Sequence, residues 1–156
     1  MTDLLARIRA IADRSGWTSR LFDGERPDER HLLLSDIGVG HVVAVTVHIE
    51  AAVIVCSSIA PQRFDAPARP AVMEFVTRAN AGLVEGKFEL DLDDGEVRFT
   101  TSMYVDETHG GGEIDTAFAH CLSFNLAVFE LYGDGLAAVG SGSMTPEEAI
   151  ASVEAH

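Results

Sequence analysis

The chain is short of basic residues: Lys and Arg together number 11 against 25 Asp and Glu, which gives a formal net charge of −14 at neutral pH. Nucleic-acid binding relies on Lys and Arg to neutralise phosphates, and anionic membrane surfaces attract basic segments, so this deficit argues against both as partners. A protein partner, if there is one, is expected to be basic or apolar. The alternative is that the acidity serves solubility alone, as in many cytosolic proteins.

Cysteine is scarce too, and the patterns of metal ligands are missing. The two cysteines, Cys56 and Cys121, sit within apolar patterns, which is typical of small buried side chains and not of a disulfide or a metal pair. None of the six histidines falls in an H-x-H or H-E-x-x-H pattern. The sequence therefore predicts no metal site and no cofactor.

Long apolar runs are absent as well. No run approaches the roughly 18 residues that a membrane-spanning helix needs. Charged residues interrupt the N-terminal segment 2–15, whereas the apolar core of an export signal is unbroken. A cytoplasmic location is the resulting expectation.

Motifs for catalysis are also lacking. The run Gly140–Ser143 is not the elbow that presents a nucleophilic serine, and Gly110–Gly112 lacks the Lys-Ser/Thr of a phosphate loop. The neighbouring Asp93 and Asp94 belong to an exposed turn, whereas general-acid catalysis needs a desolvated carboxyl. The sequence thus predicts no catalytic residue, although residues that only the fold brings together escape a search for motifs.

The sequence does contain periodic patterns, and they predict strands that follow one another in groups, with helices before, between and after these groups. Apolar residues make up 47% of the 156 residues, enough for a single domain, 1–156, with its own core. Such groups favour an α+β fold with an antiparallel sheet packed with helices over an alternating doubly wound fold. In the expected order α-β-β-β-β-α-β-β-α-α, the segments are helix 2–15, strands 17–22, 31–35, 41–49 and 52–58, helix 70–83, a hairpin over 87–105, helix 113–132 and a last helix from Thr145. Strand 41–49 is apolar at both Val42 and Val43, so we expect it to be central and covered, at least in part, on both faces.

The hairpin over 87–105 has the most specific local pattern. Apolar and polar residues alternate on both sides of Asp94-Gly95, a dipeptide that suits the two-residue turn of a hairpin. Counting outward from that turn places Leu90 opposite Phe99, and Asp91 opposite Arg98 as a cross-strand ion pair. A slip by one residue would turn the apolar side chains into water, so we expect this register to hold.

The segment Glu113–Tyr132 is predicted to be the longest helix, with an apolar surface that spans more than half of its circumference. A helix that packs on one sheet needs an apolar stripe of about 100°. The surplus is covered either by the chain's own segments 2–15 or 136–153, or by a second copy or a bound polypeptide. The amide of Asn125, in the middle of the stripe, is expected to bond the backbone or to fix the register of a helix pair. The candidate interface residues are Phe118, Leu122, Phe124, Asn125, Leu126 and Phe129.

One stretch, from Arg78 to Phe99, carries a family likeness. It reads R-A-N-A-G-L-V-E-G-K-F-E-L-D-L-D-D-G-E-V-R-F. It resembles the YbjN-domain family, a bacterial group labelled as sensory transduction regulators. The matching features are Arg-Ala-Asn at 78–80, Gly-Leu at 82–83, Gly-Lys-Phe-Glu at 86–89, Asp-Asp-Gly-Glu at 93–96, Arg98, and Pro-Glu-Glu-Ala at 146–149.

The resemblance implies an α+β fold similar to that of type III secretion chaperones, which are small, acidic and usually homodimeric. Those proteins bind extended segments of partner proteins and are not enzymes. The resemblance carries over no functional residue, but it marks four structural positions: Asn80, Gly82, Asp94 and Gly95. Asn80 is expected to bond nearby backbone at a helix end, and Gly82 to take a left-handed conformation near that end.

These observations favour a non-enzymatic protein-binding module, chaperone-like or regulatory, that acts as a homodimer on a protein partner and binds neither nucleic acid nor membrane. The alternative hypothesis is a small-molecule sensor domain with a pocket between sheet and helices. An enzyme is the third hypothesis.

Overall fold

The structure of the chain, a computed structural model, describes residues 2–24, 26–37, 41–106, 108 and 110–155. Within them, the elements follow the order α-β-β-β-β-α-β-β-α-α, which confirms the predicted α+β fold class. The helices are α1 (Thr2–Arg14), α2 (Arg69–Gly82), α3 (Gly111–Gly140) and α4 (Pro146–Glu154). The strands are β1 (Thr18–Asp23), β2 (Glu29–Ile37), β3 (His41–His48), β4 (Val53–Ile59), β5 (Lys87–Leu90) and β6 (Val97–Tyr104).

The six strands form one antiparallel sheet in the order β1-β2-β3-β4-β6-β5. Burial alternates along β3: Val43, Val45 and Val47 are buried, whereas Val42 and Thr46 on the other face are half-buried. The helices pack on the first face, which we call the helix face. Over the second, which we call the open face, the described residues place no helix. The expected central position of strand 41–49 is confirmed, and its coverage on the open face is partial.

Helix α3 runs along both halves of the core. One cluster of buried side chains joins α1 and the N-terminal half of α3 to strands β2, β3 and β4, with Ile8 and Phe118 among its members. The other joins α2, α4 and the C-terminal half of α3 to strands β5 and β6, with Phe75 and Phe99 among its members. Helices α1, α2 and α4 thus flank α3 and cover the apolar surface that one sheet could not cover.

Helix α3 is longer than predicted. It begins two residues before Glu113, at position 111, and ends eight residues after Tyr132, at position 140. The glycines that follow Tyr132 would favour a helix end, because glycine costs about 1 kcal/mol in a helix interior. Leu136 and Val139 nevertheless continue the buried stripe, and Gly135 lies close against a ring of α2. Packing against α2 and α4 therefore outweighs the local cost of the glycines.

The register of the β5–β6 hairpin differs from the prediction by two residues. The observed pairs are Lys87–Thr100, Phe88–Phe99, Glu89–Arg98 and Leu90–Val97, in place of the predicted Leu90–Phe99 and Asp91–Arg98. A shift of two residues keeps every side chain on its predicted face, because side chains alternate with a period of two. The alternation pattern therefore could not distinguish the two registers.

The turn of this hairpin spans four residues, 92–95, because its own side chains and a neighbouring loop hold it in that form. The carboxylates of Asp91 and Asp94 each accept the backbone N–H two residues further on, at 2.8 Å. The N–H of Phe64 donates to the carbonyl of Gly95 at 2.9 Å. Gly95 has φ +79°, and a Cβ at this position would overlap the backbone of Phe64. Glycine is therefore required here both for its conformation and for the close approach.

Candidate functional site on the open face of the sheet

The interface predicted on α3 is mostly core. Phe118 and Leu122 are 1% exposed, Asn125 is 0% exposed and Phe129 is 6% exposed. The chain's own helices cover the surplus apolar surface, which is the first of the two alternatives that the sequence left open. These four side chains therefore offer no surface to a partner, and the prediction is wrong for them. Two candidates are half-buried, and their part in an interface stays a prediction: Phe124 and Leu126.

Asn125 anchors α3 to the sheet. Its Nδ2 lies 3.0 Å from the carbonyl oxygens of Cys56 and Phe99 and from Thr101 Oγ1, and these three acceptors share its two hydrogens. Its Oδ1 accepts from the Ser58 hydroxyl at 2.5 Å. The expected backbone contact is confirmed, and in the described part of the chain no buried side-chain N or O atom lacks a hydrogen-bond partner. We call this set the Asn125 network; it fixes α3 on β4 and β6.

Asn80 and Gly82, marked by the family likeness, both serve the scaffold. Asn80 Nδ2 donates to the carbonyl of Phe88 at 2.9 Å, and its Oδ1 accepts the N–H of Phe88 at 2.7 Å. The expected backbone contact is confirmed, and it closes the outer edge of β5 at that residue. Gly82 is the last residue of α2 and has no positive φ, so its predicted left-handed conformation is wrong. It leaves room for α4 instead, since a Cβ there would lie 2.8 Å from Glu154 Oε1.

The open face holds a cleft of about 570 Å³ across its central strands. Strands β2 to β6 all contribute to it, because alternate residues of each strand point to this face. The cleft is open to solvent. Its lining consists of Glu29, His31, Thr46, His48, Val55, Ser57, Lys87, Glu89, Arg98, Thr100 and Ser102.

Glu89 is the centre of a hydrogen-bonded array at one end of the cleft. Its Oε1 lies 2.9 Å from Lys87 Nζ, and its Oε2 accepts from Arg98 Nε and Thr100 Oγ1 at 3.1 Å each. The hydroxyl of Thr100 also lies 3.1 Å from that of Ser57. Burial raises the pKa of Glu89, but the hydrogen bonds and charges of Lys87 and Arg98 outweigh it and hold the pKa below its ordinary value. Glu89 is therefore ionised at neutral pH.

Glu29 is the centre of a second array at the other end of the cleft. It is 8% exposed, and it is the one charged residue that is buried among those described. Its Oε1 accepts from Arg26 Nε at 2.8 Å and lies 3.3 Å from His48 Nδ1, while its Oε2 lies 3.8 Å from His31 Nε2. His31 Nδ1 is also 2.9 Å from Thr46 Oγ1. The hydrogen bond from Arg26 is the main reason that the pKa of Glu29 lies below its ordinary value.

The charges of the cleft lining balance on a chain that is otherwise strongly acidic. Glu29 and Glu89 face two bases, Lys87 and Arg98, whereas the whole chain has a formal net charge of −14. The histidines add positive charge when they are protonated. Hydroxyl groups and the aliphatic side chain of Val55 lie between the two arrays. Such a surface can bind a ligand that has both polar and apolar groups. Neither carboxyl in the cleft has the raised pKa that a general acid needs.

A pocket between sheet and helices was the alternative prediction. Between β6 and the start of α3 lies a cleft of about 190 Å³, with Met103, Ile114 and Ala117 in its lining. Small-molecule sites have volumes of roughly 300–1,000 Å³. This cleft between β6 and α3 is thus too small for a typical ligand, whereas the cleft on the opposite face of the sheet is large enough.

Cys56 and Cys121 are buried free thiols, as predicted. The hydrogen bond with Cys121 and burial together raise the pKa of Cys56. Cys121 Sγ donates to Thr101 Oγ1 at 3.3 Å, which places this thiol beside the Asn125 network. Within the described ranges, no group of three or more His, Cys, Asp or Glu residues could hold a metal ion. No helix among the described residues has both the length and the apolarity needed to cross a bilayer.

Sequence reasoning missed the cleft. Nothing in the local patterns brought His48 and Glu89 to the same surface. The lining comes from five strands, and its residues meet only once the strand order and register are known. One signal was present: β4 and β6 are rich in hydroxyl residues, and Ser57, Thr100 and Ser102 lie on the open face.

The comparison with known families agrees with the likeness carried by residues 78–99. The model of the YbjN family, described as "Putative bacterial sensory transduction regulator", matches residues 4–128. This span begins in α1, includes the whole sheet and ends within α3. No curated protein and no solved structure matches the chain. Because the family match covers well over half of the sequence, the chain belongs to the YbjN family.

Proposed function

We propose that this chain is a regulatory module without enzymatic activity, which acts as a homodimer and binds an extended segment of a partner protein in the open-face cleft. Membership of a family described as regulators supports the regulatory part of this proposal. The proposal that the cleft binds a partner segment rests on one observation, the difference between the two faces of the sheet. Helices seal one face, whereas the other presents a cleft with both aliphatic and hydrogen-bonding side chains.

The composition of the cleft suits a polypeptide. An extended segment offers backbone polar groups together with side chains of mixed character, and it needs both kinds of contact. Val55 lies between Thr46 and Ser102 across three neighbouring strands, so an apolar position is flanked by hydroxyls. The acidic remainder of the surface would steer segments with basic flanks towards this neutral cleft.

The chemistry of the cleft supports binding over catalysis. A general acid that works at neutral pH needs a raised pKa, which burial without a counter-charge provides. In both Glu29 and Glu89 the pKa is lowered, and each carboxylate is bonded to a base. The net charge of −14 in turn disfavours nucleic acid and anionic membranes as partners.

Two variants that add the same charge at different places test this proposal. Ser102→Glu adds a carboxylate at an exposed position in the cleft lining. Met73→Glu adds one on α2, at a position that is 48% exposed and outside the cleft. Immobilised wild-type chain and both variants are mixed with a lysate of the native host, and the bound proteins are identified by mass spectrometry.

We expect a partner that the wild type and Met73→Glu retain and that Ser102→Glu loses. Equal melting temperatures of the two variants serve as the control for folding. A partner that both variants retain equally would place the binding surface elsewhere. The absence of any partner specific to the chain would contradict the proposed function.

A small-molecule sensor is the second candidate, and the volume of the open-face cleft favours it. A cleft of about 570 Å³ falls within the range of roughly 300–1,000 Å³ typical of ligand sites. A ligand present at 100 times its dissociation constant would stabilise the native state by about 2.7 kcal/mol. We then expect a metabolite that raises the melting temperature of the wild type and Met73→Glu but not that of Ser102→Glu. A broad metabolite set that shifts none of them would count against a sensor.

A further inference from the structure

The two outer edges of the sheet differ in how far their backbone groups are available for pairing with another strand. The outer edge of β5 is four residues long, and Asn80 occupies both the N–H and the carbonyl of Phe88 there. The outer edge of β1 is six residues long, and five of its six side chains are exposed. Within the described residues, β1 pairs with β2 alone. Native proteins protect exposed edges against pairing with other chains, so an edge left open indicates a site for strand addition.

Strand β1 carries apolar side chains at this edge on both faces of the sheet. Leu21, on the helix face, is 46% exposed, and Phe22, on the open face, is 39% exposed. The guanidinium of Arg20 lies over the Phe22 ring, with its Cζ 4.9 Å from the ring centroid. Arg20 and Asp23 cancel in charge, so this strand is neutral on a chain of net charge −14. Two such edges can therefore meet without the repulsion that the rest of the surface would impose.

We propose that two copies of the chain pair their β1 strands antiparallel and so join their sheets into one continuous sheet across a two-fold axis. The proposal gives the homodimer an interface, and it rests on the proposed function only for the expectation that the chain is dimeric. The cleft of each copy lies on the open face and is not needed for this pairing.

The sequence of β1 selects one register for this pair. Residues that face each other in an antiparallel pair share a face of the sheet, so the two-fold axis must pass through a residue. With the axis at Leu21, each Leu21 meets its own copy, Arg20 meets the copy's Phe22, and Ser19 meets the copy's Asp23. An axis at Arg20 would oppose two guanidinium groups, and an axis at Phe22 would oppose Leu21 to a carboxylate. Both alternatives are unfavourable cross-strand pairs.

The closed β5 edge explains why assembly stops at two copies. Addition of β1 to β5 of the next copy would be a head-to-tail contact and would build an open filament. Asn80 blocks that contact, because its side chain already bonds the backbone of Phe88 on the outer side of β5. Pairing of β1 with β1 covers the open edge of both copies, so the outer edges of the joined sheet are the two β5 edges that Asn80 blocks.

Matched leucine substitutions test the interface by light scattering with mass determination. Leu21→Arg places like charges at the two-fold axis, whereas Leu92→Arg makes the same change on the turn of the β5–β6 hairpin, where the leucine is 59% exposed. We expect the mass of two chains for the wild type and for Leu92→Arg. For Leu21→Arg we expect a dissociation constant weaker by at least about tenfold and the mass of one chain.

Cysteine cross-linking gives a second readout that does not depend on how well Leu21→Arg folds. Under mild oxidation, Leu21→Cys should form a disulfide-linked dimer on a non-reducing gel, and Leu92→Cys should not. The native Cys56 and Cys121 are buried and do not compete.

Three outcomes would overturn the proposal: a monomeric wild type, a dimer that persists in Leu21→Arg, or equal cross-linking at positions 21 and 92. A monomeric wild type that still loses its partner on the Ser102→Glu change would refute the dimer and leave the binding cleft standing. A β1-paired dimer that keeps its partner after the Ser102→Glu change would support the dimer and refute binding in the cleft.

Discussion

Each face of the sheet carries a hydrogen-bonded network, but the Asn125 network is neutral and buried, whereas the Glu89 array on the open face is charged and partly exposed to water. On the helix face, four groups of the sheet surround the amide of Asn125, which is 0% exposed. On the open face, Glu89 pairs with Lys87 and Arg98 beside a cleft that is open to solvent. Removal of a buried member leaves its partners without water to replace it, whereas an exposed ion pair contributes about 0–1 kcal/mol.

This difference separates side chains that stabilise the fold from side chains that the proposed function assigns to binding. The Asn125 network contributes to the free energy of unfolding, so stability explains why an amide lies in an apolar stripe. The partly exposed ion pairs of Glu89 contribute little to stability. Under the proposed function they belong to the surface that binds the partner. Substitutions on the two faces should therefore affect different properties.

The largest effect on stability is expected for Asn125→Ala. Four polar groups of β4 and β6 lose a hydrogen bond in the core, which should lower the free energy of unfolding by roughly 3 kcal/mol. Urea denaturation measures this change. Ser123→Ala, at an exposed position of the same helix, is the matched control and should change stability by less than about 0.5 kcal/mol. Equal effects of the two variants would show that the buried network does not stabilise the fold.

A smaller effect is expected for Asn80→Ala, which opens the β5 edge. Loss of the two bonds to Phe88 should cost roughly 1–2 kcal/mol in urea denaturation. The exposed edge should also yield species larger than those of the wild type in light scattering, because it becomes available for strand addition. Thr77→Ala, which removes an exposed side chain of the same helix, is the control. An Asn80→Ala chain with unchanged stability and mass would contradict a blocking role.

Glu89→Gln should have a still smaller effect, and one that depends on pH. Because the folded pKa of Glu89 is lowered, its contribution is fully present above the unfolded pKa and is lost as the pH falls through the folded pKa. At neutral pH we expect Glu89→Gln to be less stable than the wild type by about 1 kcal/mol or less, since the pair is partly exposed. The difference should disappear below the folded pKa. Urea denaturation from pH 7 down to pH 3 follows it, and a difference that grows on acidification would contradict the ion pairing.

Ser102→Glu should have the smallest effect on stability. Its position on β6 is exposed, so we expect a change within about 0.5 kcal/mol in urea denaturation. The same variant is expected to lose the partner that the wild type captures. A loss of stability as large as that of Asn125→Ala would remove the distinction between the two faces.

The order of helices and strands could be predicted from the sequence because it depends on local patterns. The register of the β5–β6 hairpin could not, because a loop that brings Phe64 onto Gly95 decides it. The length of α3 could not be predicted either, since α2 and α4 hold Leu136 and Val139 in the core despite the glycines before them. Contacts between distant segments decided each of these cases.

The candidate site was harder to predict than the fold. The backbone bonds of Asn125 could be predicted, because an amide within an apolar stripe must find partners. The pairing of Arg98 with Glu89 in place of Asp91 could not, since both carboxylates lie on the same face of the hairpin. The cleft itself draws its lining from five strands, and no segment of the sequence contains more than a few of its members.

The most direct test of the open face as the binding surface uses Lys87, which lies in the cleft lining and is the only lysine in the sequence. The complex with the captured partner is treated with an amine-reactive cross-linker and analysed by mass spectrometry. We expect a cross-link between Lys87 and the partner, slower amine labelling of Lys87 in the complex, and loss of the cross-link but not of binding in Lys87→Arg. Cross-links from the N-terminal amine alone, with Lys87 labelled as fast in the complex as in the free chain, would contradict binding on the open face.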